Sequence, residues 1–261
     1  MIRDEAPRTT RRRVLAVGGA AVVTGLAGCI GGGGSGDQST TEGGTAMEGG
    51  TNTAGSLDGH ASAVGLADQP RFGPPPSEAT GVLVAFEDPS CPRCAAFERN
   101  TVPKIRENLS GEVSFVLRTY PVVYPWGKPA TQAVEAAFAH EIEMADSGNS
   151  ADSDAPGSRQ GSVATWALAD HYFAKQSSFN SDNVLDKTRQ FLDSETDLDA
   201  DAVVSDAESK TYDDAVQADL SAGEEAGVSG TPTIFLFRDG EFRTSANGSI
   251  SYSVVKSALG L

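Results

Sequence analysis

Phe86-Glu87-Asp88-Pro89-Ser90-Cys91-Pro92-Arg93-Cys94 decides how the rest of the chain is read. Immediately before it, Gly81-Val82-Leu83-Val84-Ala85-Phe86 is a short apolar run consistent with a buried strand. Pro92 stands where a helix can begin, because the first turn of a helix has no use for the missing N–H. Ala95, Phe97, Val102, Ile105 and Leu109 follow at roughly helical spacing, with Gly111 as the stop and Pro103 predicting a kink. Val113 to Leu117 is the next strand, which closes a strand–helix–strand unit with two cysteines at its turn.

That placement has a specific chemistry. A thiolate at a helix N-terminus meets unsatisfied N–H groups and the positive end of the helix dipole, which lowers its pKa. Arg93 adds a nearby positive charge. Cys91 is therefore expected to be the exposed nucleophile and Cys94, one turn inside, the resolving thiol. Such a pair cycles between dithiol and disulfide through a mixed disulfide with its partner.

Working outward, the middle of the chain reads as helices over Ala130 to Met144, Val163 to Lys175, Val184 to Leu192 and an acidic stretch from Asp201 to Glu225. A Ser/Asp/Gly loop runs from Asp146 to Gly161. Thr233 to Phe237 is again a strand, and Asp239-Gly240 is a hairpin turn signal returning through Glu241 to Arg243. Ser251 to Leu259 reads as a terminal helix. The order is β-α-β, a helical insert, then β-β-α.

Cys91-Pro92-Arg93-Cys94 after a strand, with Gly230-Thr231-Pro232-Thr233 before the last hairpin, resembles the thioredoxin superfamily. The helical insert, about residues 127–227, makes the chain similar to the DsbA branch. The resemblance implies an α/β thioredoxin fold with a helical insertion between its βαβ and ββα halves, over a domain of residues 76–261. It also implies that Pro232 is cis and faces the active-site sulfurs, and that Thr231 pairs through its backbone with an extended substrate peptide. Residues Phe86 to Cys91 and the Thr-Pro pair look closer to DsbC/DsbG isomerases, which dimerise through an N-terminal domain; here that space is linker. Many relatives carry a buried carboxylate six residues before the first cysteine, where this chain has Ala85. Glu87 and Asp88 read as a strand-end cap and a loop acid, with a proton-relay role left open.

Other readings of the same residues are weaker. A C-x-x-C pair can be half of a zinc site, but there is no second pair, and His60, His140 and His171 are scattered. No metal and no cofactor are expected. A purely structural Cys91–Cys94 disulfide spans too few residues to constrain the chain much. Trp126, Trp166, Tyr172 and Phe173 read as core, and Asn108 and Asn247 begin glycosylation sequons.

The N-terminus reads as an address. Arg11-Arg12-Arg13 precedes an apolar run from Val14 to Ala27, too short and glycine-rich for a comfortable membrane span. Paired arginines there look like a twin-arginine export signal. Leu26-Ala27-Gly28-Cys29 resembles a lipobox, making residues 1–28 a signal peptide and Cys29 the lipidation site. Residues 29–75 read as a Gly/Ser/Thr-rich flexible tether.

In the full chain of 261 residues, 20 Lys and Arg face 36 Asp and Glu, a net charge of −16. That excess argues against a nucleic-acid partner, which calls for a basic footprint. With the twin-arginine signal, the sparse lysine and abundant aspartate suggest a haloarchaeal lipoprotein, since concentrated salt screens such self-repulsion. The expectation is a monomeric, lipid-anchored, extracytoplasmic thiol–disulfide oxidoreductase that oxidises protein thiols and is reset by a membrane redox partner. The alternatives are an isomerase or reductase fed by a membrane electron donor, and a peptide-binding or copper-delivery module.

Overall fold

The computed structural model describes residues 55–147 and 162–261. The residues before Gly55, including Cys29, and most of the Ser/Asp/Gly loop lie outside that range. Five strands form one sheet: β1 (Arg71–Phe72), β2 (Gly81–Glu87), β3 (Val113–Thr119), β4 (Thr233–Arg238) and β5 (Glu241–Asn247). Their order is β1-β3-β2-β4-β5. The parallel β2–β3 pair is connected by α1 (Pro92–Asn100) and α2 (Val102–Leu109), while β4 and β5 run antiparallel. The insert contains α3 (Gly127–Asp146), α4 (Val163–Lys175), α5 (Val184–Glu195), α6 (Ala200–Ser209) and α7 (Asp213–Glu225), and α8 (Tyr252–Leu259) closes the chain. The fold is the α/β thioredoxin fold expected from the two halves and the insert.

Local chemistry accounts for the element boundaries. Pro103 falls in the second position of α2, and the helix that would otherwise run from Pro92 to Leu109 breaks at Thr101. The Thr101 hydroxyl then donates to the Ile250 carbonyl at 2.6 Å, tying the break to the C-terminal segment. Asp239 and Gly240 both take positive φ, 52° and 78°, as a two-residue hairpin turn requires. The acidic stretch expected as one helix is two: Lys210 adopts a left-handed φ of 56°, and the Thr211 hydroxyl and amide both donate to Asp206. That local bonding ends α6 and lets α7 set out in a new direction.

All seven residues of β2 and all seven of β3 are buried. Their side chains alternate between two cores, as the strand period demands. Leu83, Ala85, Phe115 and Leu117 join Phe97, Trp166 and the insert helices on one face; Val82, Val84, Phe86 and Val116 join Phe235 and Phe237 on the other. Arg118 on the second face is 1% exposed and forms a 2.7 Å ion pair with Asp219 of α7, itself fully buried. Asp219 also accepts from the Thr119 amide, so α7 is fastened to the end of β3 by charge-assisted bonds.

The N-terminal boundary needs correcting. The tether was expected to reach residue 75, yet the chain from Gly55 onward packs on the sheet. Ser56 bridges Glu241, and β1 pairs antiparallel with β3. His60 lies among Phe235, Phe237 and Phe242, stacked on the last at 4.9 Å, and Leu66 joins the second core. The physical reason is that the hairpin leaves an aromatic face uncovered, and a few well-placed apolar side chains in short turns suffice to cover it.

Candidate functional site

Cys91 caps α1 with extended backbone, φ −79° and ψ 120°, and Pro92 opens the helix behind it. The two cysteines are free thiols, one turn apart, at the end of β2. Opposite them the Thr231–Pro232 bond is cis. The Cys91 thiol donates to the Thr231 carbonyl at 3.3 Å, so both sequence motifs meet at one point. Pro92 and Arg93 are exposed beside them, and a Cβ added at Gly230 would lie 3.6 Å from an Arg93 guanidinium nitrogen. Thr231 is buried, and its hydroxyl has no hydrogen-bond partner.

Two details differ from the sequence reading. Cys91 was expected to be exposed but is 2% exposed; the cis-proline loop packs over its sulfur, and Cys94 is fully buried. The Cys91 pKa is lowered to about 5, as expected, with the helix N-terminal amides contributing as read but the Cys94 thiol contributing more. The Cys94 thiol contributes most, with the backbone amides of Cys94 and Arg93 adding to it, against an opposing effect of burial. The guanidinium of Arg93 is not among these causes. Cys94 moves the other way, raised far above an ordinary thiol by burial, by its bond to Cys91 and by the charge of Glu87.

The turn carrying Cys91 is held from below. Asp88, fully buried, accepts from the Ser90 amide (2.7 Å) and hydroxyl (2.6 Å) and from the amides of Val122 and Val123 (2.8 and 2.7 Å). Ser90 Oγ in turn accepts from the Tyr124 amide at 3.0 Å. Asp88 is thus the anchor that ties the loop after β3 to the cysteine turn. A Cβ on Gly127 would come within 2.5 Å of Asp88 Oδ1 and 2.8 Å of Ser90 Oγ, so only glycine fits there. From the insert, Gln176 Nε2 donates to the carbonyls of Pro89 and Cys91, both at 2.9 Å.

Beneath the sulfurs lies a feature the sequence reading only half found. Glu87, read as a strand-end cap, is fully buried and sits close enough to Cys94 and Cys91 for the charges to oppose one another. Glu98, one helical turn after Cys94, is 6% exposed and lies near enough to Glu87 for the two carboxyls to influence each other's ionisation. Burial raises Glu87 well above the ordinary carboxyl range, reinforced by Glu98; burial also lifts Glu98 to about 8, with Asp170 adding to the effect. No protein donor reaches any of the four carboxyl oxygens. Burial and mutual repulsion both disfavour two charges there, so the pair is expected to retain a proton. This pair of buried carboxyls, both pushed upward, stands next to the thiol that most resists ionisation.

The remaining candidates fall elsewhere. Trp126, Trp166, Tyr172 and Phe173 are buried, as read. His140 bonds to Asp206 at 2.8 Å, and His171 stacks on Phe191 at 4.2 Å. Asn108 lies on α2 and Asn247 ends β5. Glu87 was legible as the next member of the Leu83–Ala85 alternation, and Glu98 as Cys94 plus four on one helix face.

A family model described as Thioredoxin matches residues 75–249. The chain belongs to the thioredoxin family. Among solved structures, the chain is similar to BdbD from Bacillus subtilis, at 18% identity, covering 75% of this chain and 95% of that one, with a TM-score of 0.57. Wolbachia pipientis alpha-DsbA1 matches at 18% identity over 74% of this chain and 91% of that one, TM-score 0.54. Chlamydia trachomatis DsbA matches at 16% identity over 74% and 90%, TM-score 0.58. Comparison with curated proteins gives no match. At these identities the structural likeness establishes the fold of this thioredoxin-family protein, and its chemistry is argued from the site itself.

Proposed function

We propose that the protein is a thiol–disulfide oxidoreductase acting as an oxidant of protein thiols. The observation that carries this reading is the pair of free thiols at the start of α1, with Cys91 Sγ 3.3 Å from the Thr231 carbonyl of the cis Thr231–Pro232 loop; Cys91 is drawn down to about 5 and Cys94 pushed far above the normal range, with the buried Glu87–Glu98 pair beside them. In the oxidised form a substrate thiolate attacks Cys91 Sγ, forming a mixed disulfide and breaking the Cys91–Cys94 bond. Cys94 leaves with the electron pair and takes a proton from the Glu87–Glu98 pair, because a thiolate there is strongly disfavoured. A second substrate thiolate then attacks the substrate sulfur, forming the substrate disulfide and releasing Cys91 as a stable thiolate. Two electrons pass from substrate to enzyme. A stabilised Cys91 thiolate is a good leaving group and favours the reduced enzyme, which is the condition for an oxidant.

The N-terminal sequence supports a location. The Arg11-Arg12 signal and the Leu26–Cys29 lipobox fit a twin-arginine-exported lipoprotein held at the extracytoplasmic face through Cys29, and the acidic, lysine-poor composition fits a salt-loving archaeal source. There the substrates are secreted or membrane proteins with free thiols, and a membrane redox partner reoxidises the dithiol. No helix among the described residues is long and apolar enough to cross a membrane.

The test is the reaction of oxidised protein with a reduced dithiol peptide. Stoichiometric conversion of peptide dithiol to disulfide, with appearance of free Cys91 and Cys94, is expected. An equilibrium lying with the reduced peptide would overturn the oxidant assignment and favour a reductase.

A further inference from the structure

Beside Cys91 the surface changes character. A cavity of about 390 Å³ opens between the cysteine turn, the loop after β3 and the end of α4, lined by Pro92, Arg99, Tyr124, Trp126, Phe173 and Gln176 among others. Its volume falls in the ~300–1,000 Å³ range of small-ligand pockets. Tyr124 lines it, and Val122 and Val123 precede Tyr124 in the same loop; the three are 52%, 53% and 40% exposed. These are three of the few large apolar side chains on the described surface, and they sit together in the loop that Asp88 and Ser90 tie to the cysteine turn.

The charge is as uneven as the polarity. The segments that build this face, residues 89–97, 120–132, 173–179 and 226–237, contain no Asp or Glu in a chain with a net charge of −16. They and their neighbour Arg99 carry exposed Arg93, Lys128 and Lys175. Among the described residues, none of these four cations has a carboxylate within ion-pair distance. Exposed acids concentrate on α6 and α7, such as Asp201, Glu208 and Asp214, and the acids that reach this face, Glu224 beside Tyr120 and Asp213 bonded to Gln132, sit at its edge. An acidic partner approaching this molecule is repelled over most of its surface and meets unpaired cations here.

We propose that this face selects acidic polypeptides: an extended segment presents its cysteine to Cys91, seats a neighbouring large apolar side chain in the Tyr124–Trp126–Phe173 cavity, and sets acidic residues against Arg93, Arg99, Lys128 and Lys175. This rests on the oxidoreductase reading and names its substrate class.

The experiment uses oxidised protein and peptides of one length with a single cysteine followed by tryptophan, flanked by Glu, Gln or Lys. Rates of mixed-disulfide formation are measured at the lowest salt that keeps the protein folded. Each rate is divided by that peptide's rate with a small neutral disulfide, which removes differences in intrinsic thiol reactivity. The Glu peptide is expected to react about tenfold faster than the Lys peptide, a modest effect on the scale of electrostatic steering, with the gap narrowing as salt is added. Arg99→Glu/Lys175→Glu should abolish or invert that order while its reaction with dithiothreitol, small and uncharged, is unchanged. Replacing the peptide tryptophan with alanine should slow all three. Equal normalised rates, or an order unchanged in the charge-reversed variant, would overturn the acidic preference; indifference to the tryptophan would overturn the cavity's role. Failure to react even with dithiothreitol would instead count against the oxidoreductase reading.

Discussion

Removing the Cys94 thiol is the sharpest perturbation of Cys91. A Cys91 pKa of about 5, against the ordinary 9.0, is a preference for the thiolate of about 5 kcal/mol at 1.36 kcal/mol per unit. At pH 7 the normal thiol would be about 1% ionised and Cys91 about 99%. The gain in the reduced state is then about a hundredfold, or about 60 mV toward a more oxidising couple. The largest contributor is the Cys94 thiol, so Cys94→Ala should move the Cys91 midpoint upward toward 9.0. Cys94→Ser, whose hydroxyl still donates, should move it less. The sign follows for stability: a depressed pKa stabilises the folded reduced chain above the unfolded value, and that contribution declines as pH falls from about 9 through about 5. The assay is the ultraviolet absorbance of the thiolate against pH, which needs no reagent to reach a buried sulfur. A wild-type midpoint near 9, or the same midpoint in wild type and Cys94→Ala, would refute this account of Cys91.

Glu87→Gln should slow release of Cys94 by about 10²-fold, the low end for general acid–base catalysis, without lowering the melting temperature, since a neutral amide replaces a group that resists ionisation; unchanged kinetics would make Glu87 structural only. Arg118→Met leaves Asp219 buried without its partner and should cost about 3–5 kcal/mol in denaturant unfolding, part of which Asp219→Asn in the same chain should restore. Cys29→Ser should yield a folded domain released from the membrane fraction, and retention there would instead indicate an uncleaved signal anchor.

The parts of this molecule that could be read in advance are those whose chemistry is local. Cys91-Pro92-Arg93-Cys94 announces a helix start behind a strand, and Asp239-Gly240 announces a hairpin, because each needs only its neighbours to be understood. Pro103 marked the break between α1 and α2 for the same reason. Glu87 and Glu98 were harder: a glutamate at a strand end or in a helix normally faces water, and only the packed sheet shows that these two face each other under Cys94. The segment from Gly55 to Phe72 was hardest, since its contacts are made by single residues such as His60 and Leu66 with no period to betray them. Asp88 illustrates the same limit, because two of its donors, the amides of Val122 and Val123, come from a loop 34 and 35 residues further along the chain.

The central claim is that Cys91 attacks and is attacked while Cys94 resolves. It is tested most directly by expressing Cys94→Ser and Cys91→Ser variants, alkylating the cells and separating proteins without reductant. Cys94→Ser should accumulate disulfide-linked species that collapse on reduction and carry partner peptides bonded to Cys91, and Cys91→Ser should accumulate none. If folded Cys94→Ser traps nothing, thiol–disulfide exchange is not what this site does.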